Sequence, residues 1–250
     1  MANKSGARES RIACMKFIKA LVKSKILSGI PVHLDRRGAF HMAWGHIYNN
    51  HMRGDYVEFG VYRGDSLRLS YLELQKFARW NASQLNSDEN WRRQIASEYV
   101  DYLPNFIGFD TFDGMPENSE NAREYASGNF ETSLERVKQN LQDHIPPQRL
   151  KLIAGDFNSL EGNETPLTAP IAIVNIDSDL FESAKSALNI IEDRLQMGSV
   201  ILFDEFHAFN ADPNKGERRA LNEWIAGNSI QVERWFDYHY GGRAFLVTGF

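Results

Sequence analysis

Cysteine is nearly absent from this sequence: Cys14 stands alone among 250 residues. A single thiol excludes an intrachain disulfide and a thiolate zinc site, and it fits a reducing compartment. No apolar run approaches the roughly 20 residues that a membrane helix needs, and the N-terminus has no signal-peptide core. Blocks of lysine or arginine are missing from the body of the chain, and the formal net charge is -5. Affinity for a phosphate backbone comes from clustered cations, so nucleic acid is disfavoured as a partner. A soluble, cytoplasmic protein without a membrane partner is the expectation.

What is present is a 42% hydrophobic composition, enough for one substantial core, and a regular alternation of short apolar runs with helical patterns. The runs at 56–60, 106–110, 150–154, 171–176 and 199–203 read as parallel strands wrapped by helices. Two further runs, 231–236 and 243–248, flank His239, Tyr240 and the Gly241-Gly242 pair and read as an antiparallel hairpin closing the sheet. The expected fold is α/β, with seven strands, mostly parallel, and helices on both faces. Ahead of it, residues 1–36 form an N-terminal segment whose stretch 11–27 has apolar residues at helical spacing among Lys16, Lys19, Lys23 and Lys25. That stretch reads as a cap helix packed on the domain or on a second copy, and residues 1–10 as disordered. Residues 37–250 then form the main domain, with an inserted helix and loop at 81–104 and a mobile flap at 117–127.

"VEFGVYRGDSL", residues 57–67, supplies a strand, Gly60, a turn, Gly64 and a helix start that Ser66 is placed to cap. Glycines let a ligand approach the backbone, and a helix N-terminus offers free N–H groups. Tyr62 stands where a dinucleotide fingerprint has its second glycine, which disfavours a pyrophosphate. Glu58 lies within this strand, where a carboxylate must be paired, face a ligand, or point out from an edge.

The second strand ends in "FDTFDGMP", with Asp110 followed by Thr111 and Phe112. An acid at that tip accepts hydrogen bonds from ribose hydroxyls, or else simply starts a turn. After the third strand, Asp156 and Phe157 are positioned to meet an adenine edge and ring. "NIDSDLFES" closes the fourth strand with Asp177, and "ILFDEF" closes the fifth with Asp204 and Glu205. Neighbouring parallel strands end on one edge, so these three carboxylates converge and suit a hard cation such as Mg²⁺. Asp179 reads as a helix cap or a support for the ligands rather than a ligand. His207 either orients a substrate hydroxyl, accepts a proton, or faces solvent from a loop. His41, His46, His51, His144 and His239 have no partner evident in the pattern.

Together these motifs resemble the class I S-adenosylmethionine-dependent methyltransferases, most closely the macrocin O-methyltransferase family of sugar O-methyltransferases. The resemblance spans roughly residues 37–249 and rests on "YVEFGVYRGDSL", "FDTFDGMP", "NIDSDLFES" and "ILFDEF". It implies a Rossmann-like fold, a glycine turn (Glu58, Gly60, Gly64) around the methionine portion of S-adenosylmethionine, and Asp110 on its ribose. It also implies Mg²⁺ or another divalent cation on Asp177, Asp204 and Glu205, with Asp177 as general base. Glu205 stands where the family usually has Asp, Asp65 where it has Gly, and Phe181 where it often has Tyr. The expected reaction is metal-assisted O-methylation of a small hydroxyl-bearing acceptor, such as a sugar or a glycosylated natural product. A catechol-type O-methyltransferase, a glycosyltransferase using the D-x-D motif, and a non-catalytic binding protein are the competing readings.

Overall fold

The computed structural model describes residues 34–118, 120, 123–156, 159 and 167–250. The basic stretch at 11–27, the disorder expected of 1–10, Phe157 and part of the flap lie outside the described residues.

All seven expected strands form one sheet: β1 (Asp55–Phe59), β2 (Phe106–Asp110), β3 (Leu150–Ala154), β4 (Ile171–Ile176), β5 (Val200–Phe203), β6 (Gln231–Tyr238) and β7 (Gly242–Gly249). Their order is β3-β2-β1-β4-β5-β7-β6. β7 alone runs against the rest, antiparallel to both β5 and β6. The central strands are buried on both faces, which is why they read as continuous apolar runs rather than alternating ones. The strand order reverses between β1 and β4, whose carboxyl ends therefore border the crevice where α/β sheets take ligands.

Six α-helices among the described residues cover the sheet: α1 (Arg36–Asn49), α2 (Asp65–Gln84), α3 (Asn90–Tyr99), α4 (Leu134–Leu141), α5 (Phe181–Ile191) and α6 (Gly216–Gly227). Phe40 and Trp44 of α1, Leu67 and Leu74 of α2, and Val137 and Leu141 of α4 share one core with Tyr56 and Phe106. Ala184 and Leu188 of α5, with Leu221 and Trp224 of α6, build the other core against Val57, Val174 and Ile201. Helix α1, absent from the elements expected of the sequence, begins on an Asp35 cap whose carboxylate accepts from Gly38 N at 2.7 Å. Helix α3 fills part of the expected insertion. None of the described helices is long and apolar enough to cross a membrane.

Two caps differ from expectation. Helix α2 is capped by Gly64 at φ 85°, while the Ser66 hydroxyl turns inward to Glu58. Helix α5 starts at Phe181, and Asp179 does not cap it: Asp179 sits at φ 61° in a tight turn closed by Leu180 N donating to Ser178 O. The cap comes instead from Glu120 in the 117–127 loop. Its carboxylate accepts from Phe181 N at 2.8 Å and from Gly216 N at 2.7 Å, serving α5 and α6 together.

Candidate active site

A cavity of about 430 Å³ opens at the carboxyl ends of β1, β2, β4 and β5. Gly60, Tyr62, Ser66, Asp110, Thr111, Asp156, Asp177, Asp204 and Glu205, all expected site residues, line it. Backbone strain concentrates along this edge: Tyr62, Phe112, Asp179, Asn210 and His239 all have positive φ in the turns that follow the strands. Gly60 at φ 87° has a specific reason to be glycine. A Cβ there would lie 1.8 Å from the Asp177 carbonyl oxygen, so the tips of β1 and β4 pass with no room for a side chain.

Asp110 shapes the turn after β1. Its Oδ2 accepts from the amides of Val61 and Tyr62, each at 2.7 Å, and its Oδ1 accepts from Phe112 N at 2.7 Å. Three of about four acceptor positions on the carboxylate are thereby filled, leaving room for one further donor. Glu58 is fully buried behind the cavity wall and is paired within the protein. It accepts from Tyr56 Oη at 2.5 Å, Ser66 Oγ at 2.7 Å and Asn175 Nδ2 at 3.4 Å. Burial lifts its carboxyl from 4.5 to about 7, against the pull of those hydrogen bonds and of Arg36.

The carboxylates of β4 and β5 meet a cation from α1. Arg36 Nη2 lies 3.3 Å from Asp177 Oδ2 and makes direct contact with Asp204 Oδ2. The other oxygen of Asp204 faces His239 Nε2 at 3.0 Å. Because the Gly241 amide donates to His239 Nδ1 at 2.9 Å, the ring proton sits on Nε2 and is donated to Asp204. Burial alone would raise Asp204, but His239 and Arg36 outweigh it and hold this carboxyl below its usual range. Asp177 goes the other way: burial and the neighbouring Asp204 charge push it well above the usual range despite Arg36. Burial, Glu205 and Asp204 raise Asp179 to about 7. Glu217, fully buried on α6 with Oε2 accepting from Glu205 N, is raised strongly by burial, Asp179 and Asp177. Asp204 is thus held to its charged form, and its charge together with burial raises the proton affinity of Asp177 and Asp179.

The family model for macrocin-O-methyltransferase (TylF) matches residues 104–232, just over half of the sequence. The chain belongs to the macrocin-O-methyltransferase family. A curated relative from Streptomyces olivaceus, 8-demethyl-8-(2,3-dimethoxy-alpha-L-rhamnosyl)-tetracenomycin-C 4'-O-methyltransferase, is 24% identical over 163 residues, which cover 61% of this chain and 53% of that protein. The chain thus spans about half the length of this relative. Among solved structures, the O-methyltransferase NovP superposes with a TM-score of 0.64 at 19% identity, covering 85% of this chain and 79% of that one. The calicheamicin methyltransferase CalS11 gives 0.55 at 21% identity, covering 89% of each chain. The seven-stranded sheet is the class I methyltransferase fold.

Within this macrocin-O-methyltransferase fold, some expected site residues stand elsewhere. Glu58, Gly64 and Phe112 lie outside the cavity lining. His207 also lies outside it. Its Nδ1 is 2.6 Å from Arg218 Nη2 and its Nε2 faces Asp237 at 3.8 Å, so the ring belongs to a neighbouring cluster of charges. Burial, Arg243 and Arg218 hold the His207 pKa below the usual value. Arg36 and His239, in contrast, contact the carboxylates directly without having been expected to. The signal for His239 lay in the hairpin: pairing β7 with β5 returns the β6–β7 turn to the end of β5. As to a metal, no three His, Cys, Asp or Glu side chains among the described residues already form a cation cluster. The oxygen donors of Asp177, Asp204 and Glu205 suit Mg²⁺ in kind, and the Arg36 guanidinium pairs with the first two.

Proposed function

We propose that the protein transfers the methyl group of S-adenosylmethionine to a hydroxyl of a sugar, free or carried on a natural product. The observation that carries this reading is Asp177: a carboxyl with raised proton affinity, on the wall of a cavity at the strand-order reversal of a macrocin-O-methyltransferase fold. The sugar acceptor named for the tetracenomycin relative supports the choice of substrate class.

Methyl transfer from a sulfonium needs the acceptor oxygen in line behind the S–CH₃ bond, and holding that alignment supplies much of the acceleration. The turn after β1, bracketed by Asp110, receives the cofactor. The carboxylate's one open acceptor position suits a single ribose hydroxyl. Asp156 stands at the base side, and Tyr62 and Phe130, in edge contact at 5.5 Å, supply apolar surface. Asp177 takes the proton of the acceptor hydroxyl, and S-adenosylmethionine, when bound, would supply the methyl group and a thioether leaving group. Asp204, kept ionised by His239 and Arg36, raises the basicity of Asp177 by charge repulsion. A divalent cation held by Asp177, Asp204 and Glu205 would polarise the acceptor hydroxyl.

Incubating the protein with S-adenosylmethionine and a panel of glycosides, sugar nucleotides and catechols, read by product mass, tests the reading. Methylated glycoside or sugar nucleotide is expected. Methylation of the catechols alone would overturn the assignment to sugars.

A further inference from the structure

We propose that Arg36 is an exchangeable occupant of the Asp177–Asp204 pair, and that a divalent cation enters this site only by displacing its guanidinium. The inference rests on the reading that these carboxylates hold a cation during catalysis.

The first ground is which oxygens are taken. Arg36 lies against Oδ2 of both Asp177 and Asp204, and His239 holds the remaining oxygen of Asp204. A cation bound to both aspartates can use the open Oδ1 of Asp177 but must approach Asp204 through an oxygen already in an ion pair. The second ground is how Arg36 is mounted. It is the first residue of α1, its side chain is 36% exposed, and the helix behind it is fixed independently by buried Ala39, Phe40 and Trp44. The long, flexible stem can swing toward solvent while the helix stays in place. The backbone just before it is tied down as well, since Leu34 O accepts from His239 N at 2.6 Å. The third ground is the donor set: Asp177, Asp179, Asp204 and Glu205 all line the cavity, and their carboxyl oxygens offer a hard cation more ligands than the single guanidinium engages. Arg36 thus keeps the pair together in the absence of the ion and sets a threshold for its entry.

Calorimetric titration of Mn²⁺ into the 250-residue wild-type chain, Arg36→Gln and Arg36→Lys tests the exchange. Apparent affinity scales with the fraction of molecules whose site is open, so an Arg36 seated nine-tenths of the time weakens binding about tenfold. Arg36→Gln is expected to bind Mn²⁺ at least about tenfold more tightly than the wild type. Arg36→Lys, which keeps the charge without the planar fork, is expected to fall between them and guards against misfolding of the Gln variant. Equal affinity in all three proteins would overturn the exchange and leave the cation reading intact. Weaker binding by Arg36→Gln would also overturn it, making Arg36 a helper of the ion. Absence of binding in every protein would overturn both the exchange and the cation reading beneath it.

Discussion

Replacing Gly60 with Ala is the sharpest perturbation of the scaffold that carries the site. The new Cβ would lie 1.8 Å from the Asp177 carbonyl oxygen, whereas close C···O contacts settle near about 3.3 Å. The tips of β1 and β4 must therefore part by roughly 1.5 Å. That separation breaks the bond from Asp177 N to Phe59 O, 2.8 Å long, which costs about 1 kcal/mol. A left-handed φ at a residue with a side chain adds about 1–2 kcal/mol, and the overpacking about 1–3 kcal/mol. The sum is about 3–6 kcal/mol, or a fall in Tm of roughly 6–24 °C for a domain of this size. Gly128 provides the control: its φ of 83° is nearly the 87° of Gly60, but a Cβ there meets nothing within 4 Å. Gly128→Ala is expected to lower Tm by roughly 2–8 °C, the conformational part alone. Thermal melts followed by circular dichroism separate the two. Equal shifts for the two variants would refute the close crossing of β1 and β4.

Stability is expected to fall as pH rises from about 5 to 8 because the folded state binds protons that the unfolded chain has released. Glu58, raised from 4.5 to about 7, contributes stability that is fully present below the unfolded pKa and lost as pH climbs through about 7. Glu58→Gln should flatten this dependence by up to about 3 kcal/mol in urea titrations at the two pH values. An unchanged slope in that variant would show that Glu58 is not the group responsible. Glu120→Ala removes the shared cap of α5 and α6 and is expected to destabilise by about 1–3 kcal/mol, with faster proteolysis of the 117–127 loop. Melting and cleavage rates equal to wild type would contradict the shared cap.

The inner strands were legible because a doubly covered parallel sheet forces continuous apolar runs, and β2 and β4 begin and end where those runs do. The meeting of Asp177 with Asp204 was legible too, since neighbouring parallel strands share an edge. The long-range pairings were not. Arg36 reaches Asp204 across 168 residues, and Glu120 caps helices that start 61 and 96 residues away. No local pattern carries such contacts. Glu58 illustrates a subtler limit. A carboxylate in a buried strand signals a partner, but the sequence does not distinguish a ligand from Tyr56, Ser66 and Asn175. Asp179 misled for a related reason: Asp is favoured both as a helix cap and at positive φ, and here the second property is used.

Asp177→Asn tests the central claim most directly, with binding of S-adenosylhomocysteine and the rate of methyl transfer measured on the same preparation. The account predicts cofactor binding within a few-fold of wild type and a loss of transfer of about 10²–10⁴-fold, the range expected for removal of a general base. Transfer at the wild-type rate in this variant would contradict it.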